Sequence, residues 1–212
     1  MKKKVDKLMI ISTVICLLPI ILSLIMYDKL PDKMPIHWDI EGNPDNYGSK
    51  AFAAIGIPFM MAGLNLITHV ALNSDPKKAN ASTVLKVIGK LTIPFLSVAL
   101  VPITLFAGLG YEIPIEKIVP AFIGLLFIVI GNYMPKSKQN YTVGVKLPWT
   151  LDNEENWNKT HRLAGYLWMI GGLLMFVNSF LKIYWVPVFF LIISCLIFIP
   201  AIYSYILYKS GL

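Results

Sequence analysis

The sequence predicts an all-α polytopic membrane protein with six transmembrane helices. Of its 212 residues, 56% are hydrophobic and only 15% are charged, and the mean hydropathy is +0.65. A water-soluble domain usually has about a quarter of its residues charged. Apolar runs close to the roughly 20 residues that a helix needs to cross a bilayer occur six times along the chain.

These six runs are the predicted spans. Unpaired backbone groups are costly in hydrocarbon, so a spanning segment must be a helix or part of a closed barrel. A barrel strand would alternate apolar and polar residues, and these runs are continuously apolar, which favours helices. The runs are Leu8–Tyr27, Ala51–Leu72, Leu91–Leu109, Ile118–Met134, Leu163–Leu181 and Val186–Tyr208.

The distribution of positive charge predicts that both termini are cytoplasmic. Lysine and arginine are enriched in the cytoplasmic segments of membrane proteins. With the N-terminus inside, fourteen basic residues face the cytoplasm and five face outward, and the net charge of +7 suits contact with anionic lipid rather than nucleic acid. The cytoplasmic set is Lys2, Lys3, Lys4, Lys7, Lys77, Lys78, Lys86, Lys90, Lys136, Lys138, Lys146, Lys159, Arg162 and Lys209.

We expect a single membrane domain in two parts. Residues 1–72 form a helical hairpin with an outer loop over residues 28–50, and residues 91–212 form a four-helix region with an inner loop over residues 135–162. The segment Asn73–Lys90 is expected to be a solvated, lysine-rich connector. The first apolar run is longer than the apolar core of a typical signal peptide, so we expect it to be retained as a helix.

The outer loop reads DKLPDKMPIHWDIEGNPDNYGSK. Its prolines and glycines exclude a long helix, and EGN and NPDN favour turns. An extended HWDIE stretch would point three metal-ligating side chains the same way. The alternative is an acidic turn with a hydrogen-bonded histidine, and we expect no metal. The candidate binding residues are His37, Trp38, Asp39, Glu41, Gly42, Pro44 and Asp45.

The inner loop contains the stretch NYTVGVKLPWTLDNEENWNKTHR, from Asn140 to Arg162. Its first half is broken by glycine and proline and is expected to include a short extended piece. Asp152 and Glu155 have the spacing of a capping box, which predicts a helix that continues into the fifth span. Two tryptophans near the start of that helix are expected at the depth of the lipid headgroups, namely Trp149 and Trp157.

Asn65 and His69 form a polar stripe on the second span. Ionisable groups inside a membrane are costly and often functional, but an interhelical hydrogen bond also explains them. We favour packing, because a proton relay needs an acidic partner and no Asp or Glu lies within a predicted span. The HExxH and GxSxG motifs are absent, and His37 and His161 are expected on opposite sides of the membrane. We therefore expect no catalytic residue and no cofactor.

Two motifs resemble parts of known bacterial membrane proteins. Leu30–Lys50 resembles the outer loop of an uncharacterised membrane domain, and Gly131–Gly172 resembles the signature of the SdpI family of immunity proteins against a sporulation-delaying peptide toxin. Lys146 stands where the family pattern has arginine, which keeps the charge but not the bidentate geometry of a guanidinium. The second motif is matched at Asn132, Pro135, Asn140, Gly144, Pro148, Trp149, Trp157, Thr160, His161, Arg162 and Gly165.

The resemblance implies a multi-pass protein of the bacterial cell membrane, in contact with lipid, that protects its producer against a secreted hydrophobic peptide toxin. It also implies a signal to a cytoplasmic transcriptional regulator. One alternative is a receptor that sequesters a transcriptional repressor without binding toxin, and another is a small-solute transporter. The candidate binding residues of the inner loop are Asn140, Gly144, Lys146, Pro148, Trp149, Trp157, His161 and Arg162.

Overall fold

Six long helices confirm the predicted fold class. The computed structural model describes residues 6–212, and within them six helical segments are long and apolar enough to cross a membrane. Lys2, Lys3 and Lys4, on which part of the predicted orientation rests, lie outside the described residues. The six segments correspond one to one with the predicted runs and cover Lys7–Lys29, Phe52–Ser74, Thr83–Gly108, Ile115–Lys136, Glu154–Leu181 and Trp185–Lys209.

The outer surfaces of these helices are apolar. Ile25 is 74% exposed, Ile67 66% and Leu191 64%, and large aliphatic and aromatic side chains are exposed on every span. Water-soluble proteins rarely expose apolar surface on this scale, whereas lipid tails solvate it without cost. The chain is therefore a multi-pass membrane protein.

Two compact units make up the fold. The first comprises Met1–Ala71 with Val87–Pro114, and the second comprises Leu72–Lys86 with Ile115–Leu212. Each unit has its own apolar core, and the candidate binding residues of the two loops fall in different units.

The first unit begins with a span that a proline divides. Helix α1 covers Lys7–Leu17 and helix α2 covers Pro19–Met26, because a proline has no N–H to continue α1 but fits the first position of a new helix. Asp6 caps α1 through Oδ1, which accepts hydrogen bonds from the N–H groups of Leu8 and Met9 at 3.1 and 3.4 Å. The cap satisfies two of the open donors of the first turn.

A β-hairpin follows where the sequence predicted only turns. Strand β1, Lys33–Trp38, pairs antiparallel with strand β2, Pro44–Ser49. An isolated two-stranded hairpin is marginally stable in water, but Met34 on β1 is fully buried and fixes this one to the helices. The cluster around it consists of Leu30, Ala53, Ala54, Val101 and Leu105.

Two long helices complete the first unit and extend beyond it. A π-helical turn at Phe52–Gly56 leads into α3, Ile57–Ser74, and α4 covers Thr83–Gly108. Helix α4 begins well before the predicted Leu91, because lysine is a good helix former although it lowers the hydropathy on which the prediction relied. The connector is therefore shorter than predicted.

The second unit contains three long helices and two short ones. Helix α5 covers Ile115–Tyr133 and is followed by a 3-10 turn at Met134–Lys136. The short helix α6 covers Pro148–Asp152, α7 covers Glu154–Leu181 and α8 covers Trp185–Lys209. Together these elements place residues 135–162 beside the ends of α5, α7 and α8.

Helix α7 runs from the inner loop into the fifth span, as the sequence predicted, but its cap differs. Asn153 is the N-cap, and its side chain accepts hydrogen bonds from the N–H groups of Glu155 and Asn156 at 2.8 and 2.9 Å. The prediction that Asp152 caps this helix is wrong by one residue, because Asp152 is the last residue of α6.

Helices α5 and α7 pack backbone against backbone along a glycine seam. A Cβ atom built on Gly124 would lie 2.6 Å from the carbonyl oxygen of Gly172, and one built on Gly131 would lie 2.7 Å from that of Gly165. Real Cβ atoms essentially never approach so closely. Only glycine at these positions therefore allows this interaxial distance, which is how small residues drive helix packing in membranes.

The seam predicts that alanine destabilises the protein at a seam glycine but not at a glycine outside the seam. Gly172→Ala is expected to destabilise the protein by about 1–3 kcal/mol, because the added methyl group would force α5 and α7 apart. The matched control is Gly63→Ala on α3, where a Cβ would meet nothing within 4 Å and the change is expected to be neutral or stabilising by up to ~1 kcal/mol. Thermal unfolding of both variants in detergent measures the difference, and equal stabilities would contradict the seam.

Candidate functional site

The hairpin presents the predicted outer-loop residues on its exposed turn. Nδ1 of His37 lies 2.6 Å from Oδ1 of Asp45, and both side chains are exposed. Strand β1 ends at Trp38, which is half-buried, so the hypothesis of an extended HWDIE stretch with its carboxylates aligned on one side is wrong. Across residues 6–212, no group of three His, Cys, Asp or Glu side chains could hold a metal ion.

The turn of the hairpin is closed by Asp39. Its Oδ1 accepts hydrogen bonds from the N–H groups of Glu41 and Asn43, each at 2.9 Å. The hydrogen bond from Asn43, followed by that from Glu41, holds the pKa of Asp39 below its usual value. Gly42 has φ of +87°, a conformation that glycine adopts without strain. Asp39 and Gly42 therefore shape the turn, whereas Glu41, Pro44 and Asp45 are exposed.

The polar stripe of α3 belongs to a buried network. Nδ1 of His69 lies 3.3 Å from Oδ2 of Asp6, and its Nε2 lies 3.0 Å from Oγ of Ser12. Nζ of Lys90 lies 2.8 Å from the same Asp6 oxygen, and the amide of Asn65 lies 2.9 Å from the Ser12 hydroxyl. The network therefore ties α1, α3 and α4 together.

Asp6 supplies an acidic partner for His69, which the sequence did not predict. No Asp or Glu lies within the predicted apolar runs. Asp6 lies just before α1 and reaches His69 from the cap position. His69 and Asn65 are fully buried, so their hydrogen bonds avoid the penalty of unpaired polar groups in the helix core.

Residues 135–162, which we name the platform, are organised around Asn140. Its side chain is fully buried. Nδ2 donates hydrogen bonds to the carbonyl oxygens of Lys138 and Val143 at 2.9 and 3.0 Å. Oδ1 accepts from the N–H groups of Thr142 and Val143 at 3.1 and 2.7 Å. These bonds impose a series of bends on residues 141–144, so the predicted extended piece does not form a strand.

His161 and Trp157 form the centre of the platform. Their rings stack with centroids 3.9 Å apart. Nδ1 of His161 donates to the Trp157 carbonyl at 2.8 Å and Nε2 accepts from the N–H of Val145 at 3.0 Å, which defines a neutral histidine. Nε1 of Trp157 donates to the Ser137 carbonyl at 2.7 Å. The side chain of Trp157 is fully buried inside the platform, and its depth at the lipid headgroups stays a prediction.

Gly144 and Trp149 complete the interior of the platform. Gly144 has φ of +123°, and a Cβ there would clash with the His161 ring. Both the backbone conformation and the lack of space therefore require glycine. Trp149 packs against two tyrosines of α8, with ring centroids 5.4 Å from Tyr205 and 6.0 Å from Tyr208. Its buried indole N–H has no acceptor within the described part of the chain.

The connector between α3 and α4 docks onto the platform, which the sequence did not predict. Oδ2 of Asp75 accepts hydrogen bonds from Oγ1 of Thr142 at 2.8 Å and from the N–H of Tyr141 at 2.9 Å. Nζ of Lys77 donates to Oε1 of Gln139 at 2.8 Å. The lysine-rich sequence of the connector predicts a solvated segment, but Asp75 and Ala81 are buried and Nδ2 of Asn80 donates to the Gln139 carbonyl at 2.9 Å.

Asp75 is held in its charged form by these contacts. Burial raises the pKa of the carboxyl group, but hydrogen bonds from Thr142, Lys77 and Tyr141 together outweigh burial. The pKa therefore lies below its ordinary value of 3.8.

Three predicted inner-loop residues remain exposed, namely Lys146, Pro148 and Arg162. Arg162 lines a groove of about 350 Å³, and its guanidinium has no hydrogen-bond or ion-pair partner among residues 6–212. Elsewhere in the groove, Nζ of Lys159 lies 2.9 Å from Oε1 of Glu155. The other predicted inner-loop residues are buried or half-buried, so within the predicted set these three side chains are the most accessible to a ligand. The groove is lined by Pro135, Glu155, Asn158, Lys159 and Arg162.

Comparisons with known proteins give separate matches for the part of the chain that contains the hairpin and the part that contains the platform. Residues 136–204 match the SdpI/YfhL protein family, and residues 14–62 match a domain of unknown function, DUF1648. The chain is 30% identical over 203 residues to the protein named "Immunity protein SdpI" of Bacillus subtilis (strain 168), covering 95% of this chain and 96% of that protein. No solved structure matches the chain significantly.

The lowered pKa of Asp75 predicts that the stability of the platform depends on pH. A carboxylate with a depressed pKa stabilises the folded state above its unfolded pKa, and this stabilisation is lost as the pH falls through the folded pKa. Asp75→Asn is therefore expected to increase hydrogen exchange at the Tyr141 amide at neutral pH, and the difference from wild type should vanish in acid.

Hydrogen exchange measured by mass spectrometry on peptides covering residues 137–145 tests this. The matched control is Asp152→Asn, which removes an exposed carboxylate from the same platform and should leave exchange at Tyr141 unchanged. Equal exchange in the Asp75 variant and the wild type at neutral pH would show that the connector does not stabilise the platform.

Proposed function

The chain belongs to the SdpI/YfhL protein family. We propose that it protects the producing bacterium against a secreted peptide toxin by binding the peptide at the outer face of the cell membrane. The relative that matches nearly the whole chain is named an immunity protein. The proposal places the hairpin outside the cell, as the distribution of lysines predicts, and assigns no catalytic step to the protein.

The observation that supports peptide binding is the open edge of the hairpin. Five of the six residues of β2 are exposed, and in the described residues β2 pairs with β1 alone. An extended peptide can add to such an edge through backbone hydrogen bonds. Because Met34 anchors β1 in the core, the edge is held in place before the peptide arrives, which lowers the entropic cost of binding.

The side chains of the hairpin define the kind of peptide it would accept. Ile40 is 51% exposed and Tyr47 is 53% exposed, which gives apolar contacts on either side of the turn. Asp39, Glu41 and Asp45 make the turn acidic, and no basic residue lies between positions 39 and 49. The hairpin therefore suits an apolar peptide with positive charge, the composition that also favours partition to anionic membranes.

Survival of a toxin-sensitive strain tests the proposal. Expression of the wild-type protein should confer resistance to a purified secreted peptide from the producing organism. Glu41→Lys reverses one exposed charge on the turn and should weaken protection about fivefold, corresponding to about 1 kcal/mol of binding free energy.

The control for this experiment is Glu112→Lys, which makes the same change at an exposed residue of the short segment between α4 and α5. It should protect as well as the wild type when both are present in the membrane in equal amounts. Protection against none of the candidate peptides, or equal loss in the two variants, would refute binding at the hairpin.

A second proposal concerns signalling to a cytoplasmic regulator through the platform. Lys146 and Pro148 are exposed on a segment whose backbone is held by Asn140, Thr150 and His161. Such a preformed surface can bind a protein with little loss of conformational entropy. The regulator would be a transcriptional repressor retained at the membrane.

Site-specific photocrosslinking in producing cells tests this second proposal. A photoreactive residue at position 146 should yield a covalent adduct with a soluble protein when toxin is present. The same residue at position 112, on the predicted outer side, should not. Recovery of lipid alone from position 146 would count against a regulator.

A further inference from the structure

We propose that the groove at the start of α7 binds the phosphodiester headgroup of an anionic phospholipid, with Arg162 as its principal ligand. We name it the phosphate groove; its lining residues are Pro135, Glu155, Asn158, Lys159 and Arg162. This site is separate from toxin protection and does not depend on the proposed function.

Of the exposed charged candidates of the platform, Lys146 donates from Nζ to the Thr142 carbonyl at 3.2 Å, whereas the guanidinium of Arg162 has no partner among residues 6–212. Asn140 and His161 satisfy their hydrogen bonds within the fold. The exposed guanidinium of Arg162 has five donors, and they have no acceptor in the part of the chain that the structure describes. A guanidinium pairs with a phosphate through two parallel hydrogen bonds, so the groove supplies the donor set of a phosphate site.

The charges in the groove match a single phosphodiester. Glu155 and Lys159 form an ion pair with N–O distance 2.9 Å, so they neutralise each other and leave the charge of Arg162. Asn158 is exposed beside them and its amide can donate to a second phosphate oxygen. A zwitterionic headgroup would bring its own cation toward Lys159 and Arg162, so the groove favours an anionic lipid.

The apolar surface below the groove suits the rest of a lipid molecule. Arg162 lies immediately before the apolar stretch of α7, where the phosphates of a bilayer meet the start of a span. Residues 166, 170 and 173 follow it at helical spacing, which places them on the same face. Their side chains are exposed, with Tyr166 at 57%, Ile170 at 59% and Leu173 at 54%, and they form a track along which an acyl chain can lie.

Native mass spectrometry of the full-length protein in detergent tests the site, with phosphatidylglycerol as the probe. The wild type should retain one phosphatidylglycerol with higher affinity than phosphatidylcholine. Arg162→Gln should weaken this binding about tenfold, the typical effect of losing a charge-assisted bidentate pair. Its unfolding temperature should not change, because the side chain has no partner in the described fold.

The matched control is Lys146→Gln, which removes an exposed positive charge from the platform outside the groove and should leave lipid retention unchanged. Arg162→Lys keeps the charge without the guanidinium fork and should give an intermediate loss, and it serves as the test if Arg162→Gln does not fold. Equal loss in the Arg162 and Lys146 variants would overturn the proposal, since it would indicate general attraction of anionic lipid. Equal retention of phosphatidylcholine, or displacement of the lipid by millimolar inorganic phosphate, would also overturn it.

Discussion

The close approach of α5 and α7 is the constraint on which the second unit depends. Two glycine pairs let the backbones touch, and Pro135 packs against Gly165 at the end of the seam. The chain that leaves α5 therefore starts beside the first turns of α7, and the platform has only to fold over that junction. In lipid, where hydrophobic burial does not drive helices together, such backbone packing holds α5 and α7 together.

The platform is stabilised by polar groups that are almost all satisfied. Asn140, Thr150 and His161 each bond backbone groups of a segment that has no regular secondary structure of its own. A buried polar group costs free energy unless it is paired, so each of these side chains specifies one local conformation. This explains why a loop of this length adopts a defined shape, and why the side chains of Asn140 and His161 are not available for a ligand.

Sequence patterns identified the candidate regions better than the roles within them. The motif predicts binding roles for Trp157 and His161, but their side chains lie inside the platform. Asp75 was missed, because its partners Tyr141 and Thr142 are distant in sequence and no periodicity connects them. The acidic partner of His69 was missed for a similar reason, since Asp6 lies outside the apolar run and is brought close only by the packing of helices.

The sequence by itself determined that this protein lies in a lipid membrane, how many spans it has and which family it belongs to. These follow from local properties, namely the length of apolar runs and the order of residues in two motifs. Only the tertiary structure decided that the outer loop forms a β-hairpin, that the connector docks onto the platform and that the Arg162 guanidinium has no acceptor among residues 6–212. Burial and hydrogen-bond partners depend on contacts between residues far apart in the chain, and a one-dimensional pattern does not contain those distances.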